Sequence, residues 1–428
     1  MEKRKRLIVA AAAYNWAEAH RMAEIGKEFL KRGWEVFSLG SGRYDYLLKD
    51  KMEHLNLEED SGWYTDERIK KLMDMDKWGN DYCREEELEE MTAAEVRLME
   101  KIRPDLVITG YRTTLSLSCR IYGVPLVWVL SAVVSPLYYK YGLATMPERV
   151  PVRFVETIED RELQRAYYCR LALKNKETSR VWNKVARNHG VRQFECDTEL
   201  FTGDFNLMSD APELFPEFRG LPREYRFCGP LLNHEEIPQP AWKKTYKETG
   251  RKKILVTMGS SGERDILLKV LEGLKKADAD IFVSTASVKG MLESLEKDRG
   301  GFPESFYFAE RLPHLDMAGW VDLSIIHGGQ GTVYTTALGG KPFIGIPMFS
   351  EQQYNLENIM RAGSGEKISA AKLSSEELLE RIDRIFSDGR YYEKAEELRR
   401  LLEPYADGRE ESPEEKAFME INRFFFND

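Results

Sequence analysis

The chain has 428 residues, 42% of them hydrophobic and 32% charged, which exceeds what one hydrophobic core usually holds, so two domains of roughly 200 residues each are expected. A formal net charge of −9 argues against nucleic-acid binding, which needs a concentrated basic face. The five cysteines, Cys83, Cys119, Cys169, Cys196 and Cys228, are odd in number, far apart and never in a CxxC pair. They indicate neither a zinc site nor a disulfide framework and fit a reducing cytoplasm.

The chain opens with a basic, apolar and small-residue order that looks like a secretory leader. Arg6 to Ala13 supplies only about seven apolar residues, at the bottom of the range for such a leader, and the sequence after it is helical in period, so none is expected. The longest other apolar stretch, Val124 to Val134, falls well short of the roughly 20 residues of a spanning helix.

In chain order the first forty residues read as a βαβ unit. Leu7 to Ala11 is a continuous apolar run suited to a strand buried on both faces. Met22, Ile25, Gly26, Phe29 and Leu30 then fall on one helical face, and Gly33 stops the helix before a strand at Glu35 to Leu39. The pattern recurs as a helix ending near Arg103, a strand at Leu106 to Thr109, a helix over Leu115 to Tyr122 and a strand at Leu126 to Leu130. Alternation of this kind means a parallel, doubly wound sheet. Glu58 to Glu100 reads as a helical insertion over one face. Glu159 to Asn188 reads as a second helical stretch, rich in Arg and Lys, taken as a solvated face.

A linker is expected at Asn233 to Gly250, where prolines and charges carry no period. The strand-helix pattern restarts with strands at Lys253 to Thr257, Asp280 to Ser284, Phe306 to Phe308, Leu323 to His327 and Phe343 to Pro347. Glu414 to Phe426 is an apolar-faced terminal helix that should dock on a domain.

Ligands of parallel α/β sheets bind beyond the carboxyl ends of strands. Two Gly-rich turns stand there in the second half, GSSG at 259–262 and HGGQGT at 327–332. Glycines admit a ligand close to the backbone, and a following helix N-terminus offers N–H donors to an anion such as a diphosphate. Either turn alone is weak evidence. Together with Gly340, Pro342, Pro347, Glu351, Gln352 and Asn355 at their spacing, the second turn resembles the donor-binding signature of the UDP-glycosyltransferase superfamily, family 1, most closely its bacterial macrolide- and antibiotic-type branch. Gly229-Pro230 and the Arg311 to His314 loop fall in the family's order.

That resemblance implies an α/β, GT-B fold: two Rossmann-like doubly wound parallel-sheet domains facing across a cleft. The expected domains are an N-terminal acceptor-binding domain over residues 1–232, a linker over 233–250 and a C-terminal donor-binding domain over 251–428 that includes the terminal helix. It further implies an inverting, metal-independent hexosyltransferase using a UDP- or dTDP-sugar, with no cofactor. The acceptor would be small or lipidic, and peripheral membrane contact is one partner class it allows. His327, Gly329, Gly331 and Thr332 would hold the diphosphate, with Ser260 and Ser261 across from them. Arg311 and Leu312 would face the nucleobase, and Glu351 and Gln352 the sugar hydroxyls.

Two departures stand out. The family's ribose-gripping acid is replaced by Thr335. Where relatives place a basic His at the start of the first helix, this chain has Glu18, with His20 two residues on, and the partner Asp position near Gly110 to Arg112 carries no acid. Glu18 is preferred as base on alignment, provided burial raises its pKa; the alternatives are His20, if the loop is shifted, or an acceptor acidic enough to need little base help. Two other functions stay open on sequence: a sugar-nucleotide epimerase of the same fold, and a catalytically silent sugar-nucleotide-binding subunit.

Overall fold

In the computed structural model the chain divides into two units. The first comprises Met1–Met146, Val150–Leu231 and Glu410–Asp428; the second comprises Pro147–Arg149 and Leu232–Arg409. The structure describes residues 4–14, 16–65, 68, 71, 82–149, 152, 154–232, 237–259, 261–286, 290–297, 301–406 and 411–426.

The first unit is built on a seven-stranded sheet of order β3-β2-β1-β4-β5-β6-β7. Its strands are β1 (Arg6–Ala10), β2 (Glu35–Leu39), β3 (Glu53–Leu55), β4 (Leu106–Thr109), β5 (Leu126–Leu130), β6 (Phe205–Met208) and β7 (Tyr225–Phe227). Every recorded pairing is parallel, with Leu7 of β1 opposite Val36 of β2 and Leu106 of β4. Alternate residues of β1 enter different cores: Leu7 and Val9 face one, Ile8 and Ala10 the other. This is why the strand reads as an unbroken apolar run. Helix α1 (Trp16–Lys31) places Ala19, Met22, Ala23, Ile25 and Phe29 in the Leu7 core.

The second unit carries a six-stranded parallel sheet of order β10-β9-β8-β11-β12-β13. The strands are β8 (Lys252–Thr257), β9 (Ala279–Ser284), β10 (Phe306–Ala309), β11 (Leu323–Ile326), β12 (Phe343–Gly345) and β13 (Gly365–Lys367). Both sheets reverse direction of winding beside their first strand, the doubly wound arrangement expected from the sequence.

Four strands went unread in the sequence. β3, β7 and β13 spell EHL, YRF and GEK, without the apolar run that marks the strands that were read, and the four-residue β6, FNLM, is interrupted by Asn206.

Three expectations change. The terminal helix, α14 (Pro413–Phe425), does not complete the second domain but packs on the first sheet. Ala417 and Ile421 sit in the Leu7 core, and Phe418 and Phe424 meet Phe29 and Phe205 at ring centroid distances of 4.9 and 4.6 Å. Its start is well marked, by a Ser412–Glu415 capping box and Pro413 in the first turn. The 233–250 stretch is also more than a tether, leaving aside residues 233–236, which lie outside the described set. Trp242 and Tyr246 pack on Phe282 and Tyr307, and Tyr246 donates to Asp280 at 2.9 Å. Finally, within the 58–100 region, part of which lies outside the described residues, Glu85–Ile102 forms α3, the crossover helix into β4 rather than an insertion. Helices α6 (Arg161–Ala172) and α7 (Ser179–Asn188) occupy the second basic stretch.

Helix α2 (Asp60–Trp63) and α3 are tied to the β4 end by Arg112, which is fully buried. Its guanidinium donates to both Asp60 oxygens, at 2.6 and 3.0 Å, and to Glu95 at 2.7 Å. Glu95 in turn accepts from Thr114 at 2.7 Å and from Ser118. Arg112→Met would leave two buried carboxylates without their cation, so a loss of roughly 3–5 kcal/mol is expected on chemical denaturation. A variant as stable as wild type would show the cluster to be dispensable.

Among the described residues no helix is long and apolar enough to cross a membrane. The five cysteines are buried and free.

Candidate functional site

In the second unit the carboxyl end of β11 runs into the residues that the sequence singled out. His327 follows Ile326 directly and is 3% exposed. Gly328 has φ 95°, and a Cβ there would lie 2.6 Å from the Gln352 carbonyl and 2.7 Å from Leu356, so only glycine lets the chain turn here. Gly329 then caps α10 (Gln330–Leu338), whose first turn contains Gly331 and the half-buried Thr332.

The imidazole of His327 is gripped from two sides. A Cβ on Gly259 would fall 2.3 Å from its Cε1, and one on Gly329 would fall 2.4 Å from its Nε2. The two Gly-rich turns thus converge on one ring. Burial, with a smaller push from nearby His314, drives the His327 pKa down to about 3. Nδ1 is buried without a well-aligned hydrogen bond, and the Thr257 backbone beside the ring offsets only part of the effect of burial. A neutral ring beside the N-terminus of α10 is suited to an anionic ligand that brings its own acceptor oxygens.

The neighbouring loops are braced onto this turn. Gln352, 1% exposed, sits in α11 (Ser350–Met360); its Oε1 accepts from the Met348 N–H at 2.8 Å and its Nε2 donates to Ser261 Oγ at 3.2 Å. Its amide therefore ties the β12 loop to the first Gly-rich turn. Asn355 Nδ2 donates to the Gly328 carbonyl at 3.1 Å. Glu351 is half-buried in the first turn of α11. Ser260 lies outside the described residues. Leu312 is buried beneath Phe282 and Val321, and Arg311 is half-buried next to it. His314, which sequence reading treated only as part of that loop, hydrogen-bonds Thr335 Oγ1 through Nδ1 at 2.8 Å. Thr335, at the position of the family's missing acid, thus spends its hydroxyl inside the protein.

In the first unit, Glu18 and His20 both stand near the start of α1, two residues and so about 200° apart around its axis. Glu18 is fully buried. Its Oε1 accepts the Ala12 and Tyr111 N–H groups, each at 2.9 Å, and Oε2 accepts the Ala13 N–H at 3.1 Å. Gly110 makes room, since a Cβ there would meet Glu18 Cγ at 2.9 Å. Burial outweighs these amides and Arg21 and raises the carboxyl to about 7. His20 stacks on Trp16 with centroids 4.5 Å apart and lies 3.6 Å from Glu24. An acid unread in the sequence also stands at the strand ends: Asp210, 2% exposed, accepts the Ala132 N–H at 2.7 Å and the Ser131 hydroxyl at 3.3 Å. No local pattern in the sequence marks it; it stands two residues beyond the end of β6.

Comparison with known proteins gives the class. Residues 253–410 match the glycosyltransferase family 28 C-terminal domain, and the solved structure of the glycotransferase of kitacinnamycin superposes with a TM-score of 0.65 over 99% of each chain at 18% identity. The chain is a glycosyltransferase with the GT-B fold. More particularly, it is similar to a PGL/p-HBAD biosynthesis glycosyltransferase of Mycobacterium tuberculosis, 29% identical over 74% of this chain and 71% of that protein. It is also similar to a PGL/p-HBAD biosynthesis rhamnosyltransferase of Mycobacterium bovis, 25% identical over 92% of this chain and 84% of the other. These likenesses agree with the superfamily recognised from the 327–355 motif.

Proposed function

We propose that the chain transfers a hexose from a UDP- or dTDP-sugar to a hydroxyl of a small-molecule or lipidic acceptor, with inversion and without a metal or other cofactor. The observation that carries this reading is the His327 ring, neutral and buried, held between two Gly-rich turns at the N-terminus of α10. There the donor diphosphate meets His327, the amides near Gly329 and Gly331 and the Thr332 hydroxyl, with Ser261 on the facing turn; the family resemblance assigns Ser260 the same role. Arg311 and Leu312 serve the nucleobase. Glu351 contacts the sugar, and Gln352 holds the two loops that frame it.

In the reaction the acceptor oxygen attacks the anomeric carbon from the face opposite the leaving group. The bond to the phosphate oxygen breaks, and the nucleoside diphosphate takes up the negative charge. Preorganised N–H donors stabilise that charge as it develops. The acceptor proton passes to a base, for which Glu18 is our choice over His20: a carboxyl at about 7 is matched to proton abstraction near neutrality.

The test needs no acceptor. UDP or dTDP is expected to raise the melting temperature in EDTA as much as in magnesium, because the phosphates are met by helix amides and His327. Stabilisation that appears only with the divalent ion would overturn metal independence.

A further inference from the structure

We propose that Arg149 is a positioning residue for the donor site, acting from a three-residue strap, Pro147–Arg149, that belongs to the second unit although the chain before it belongs to the first. The proposal rests on the donor-site reading above. Arg149 donates Nη1 to Glu263 Oε1 and Nη2 to Glu263 Oε2, the latter at 2.9 Å, in a two-pronged pair, and Nη1 also donates to the Met348 carbonyl at 3.0 Å. Glu263 stands at the end of the first Gly-rich turn, and Met348 in the loop after β12. One guanidinium therefore joins the loop that carries Ser261 to the loop that leads into the helix of Glu351 and Gln352.

The rest of the strap works in the same direction. The Glu148 N–H donates to Gln353 Oε1 at 3.0 Å, and the Glu148 carboxylate pairs with Lys367 at 2.7 Å. Lys367 also pairs with Glu357 at 2.5 Å, on the helix that carries Glu351 and Gln352. Between the joined loops the Glu263 N–H reaches the Met348 sulfur at 3.2 Å, and Gln352 links the Met348 N–H to Ser261. Arg149 and Glu263 side chains are 38% and 40% exposed, and ion pairs that open to water contribute little to stability. The pair's distinctive consequence is geometric: it sets the spacing of two loops, and a planar fork does this as a point charge cannot.

The experiment measures UDP and dTDP affinity by calorimetry, with melting temperatures without nucleotide, for wild type, Arg149→Ala, Arg149→Lys, Glu263→Ala and the Arg149/Glu263 double alanine variant. Each alanine variant is expected to weaken nucleotide binding about tenfold, and the double variant no more than either single one, since both remove the same link. Arg149→Lys should fall between, and the free proteins should melt within about 2 °C of wild type. Unchanged affinity in Arg149→Ala, losses that add in the double variant, or a large fall in melting temperature with affinity kept would each overturn the proposal while wild-type binding stands. A wild-type chain that binds neither nucleotide would overturn the donor-site reading, and this proposal with it.

Discussion

Glu18→Gln is expected to lower kcat by roughly 100-fold while nucleotide affinity stays near wild type. The carboxylate has two features that the variant separates. Its oxygens accept three backbone N–H groups, from Ala12, Ala13 and Tyr111, which links the loop after β1 to the loop after β4. Its proton is held to about 7, against 4.5 for the free side chain, because burial disfavours the charged form. A base must be deprotonated, so the wild-type rate should rise with pH through about 7, and that limb should vanish in the variant.

The stability consequence has the opposite sign. A group whose folded pKa is raised stabilises fully below the unfolded pKa, and that contribution is lost as pH rises through the folded value. Wild type should therefore lose stability relative to Glu18→Gln between about pH 4.5 and pH 7. His20→Ala should be milder in turnover. If His20→Ala abolishes turnover while Glu18→Gln keeps it, the base is His20. If Glu18→Gln instead melts far below wild type and retains kcat, the residue is a loop clamp and nothing more.

Nucleotide binding should fall at least tenfold in His327→Ala, with a folded protein left behind. The ring is enclosed by two turns and its buried Nδ1 makes no well-aligned hydrogen bond, so its removal is expected to take away a ligand contact at small internal cost, the Thr257 backbone being its one polar neighbour that favours the charged form. Gly329→Ala is the complementary variant: its Cβ would sit 2.4 Å from Nε2, forcing the ring or the helix start to move, and should cost binding as His327→Ala does. With its pKa near 3 the imidazole stays neutral across the neutral range, so its share of binding should not vary between about pH 5 and pH 8. An unfolded His327→Ala protein, or one that retains the full nucleotide-induced rise in melting temperature, would return His327 to a packing role. Paired measurements with and without nucleotide separate these outcomes.

What the sequence by itself determined is what short-range chemistry can carry. The strands at Leu106 to Thr109 and Leu126 to Leu130 are apolar on both faces, and the helices between strands repeat at 3.6 residues, so the doubly wound sheets were legible. So were the donor-side turns, because part of what HGGQGT at 327–332 asks of its glycines acts within a few residues: Gly328 takes a positive φ of 95°, and a Cβ on Gly329 would meet His327, two residues back.

What only the tertiary structure decided are the partnerships between distant residues. The terminal helix shows an apolar face but no address, and only packing against Phe29 and Phe205 assigns it to the first sheet. Gln352 read as a sugar contact, but its amide is committed to Met348 and Ser261, 91 residues away in the latter case. Glu18 was legible as an acid at a helix start; neither the burial that lifts its pKa nor the opposing Tyr111 N–H, 93 residues on, was. Arg112 and Arg149 carry no sequence signal at all, since an arginine shows no period and its partners, Asp60, Glu95 and Glu263, lie 17 to 114 residues away. Side-chain period and turn chemistry act over one or two turns of chain. Burial and ion pairing are set by which surfaces meet once the sheets have formed.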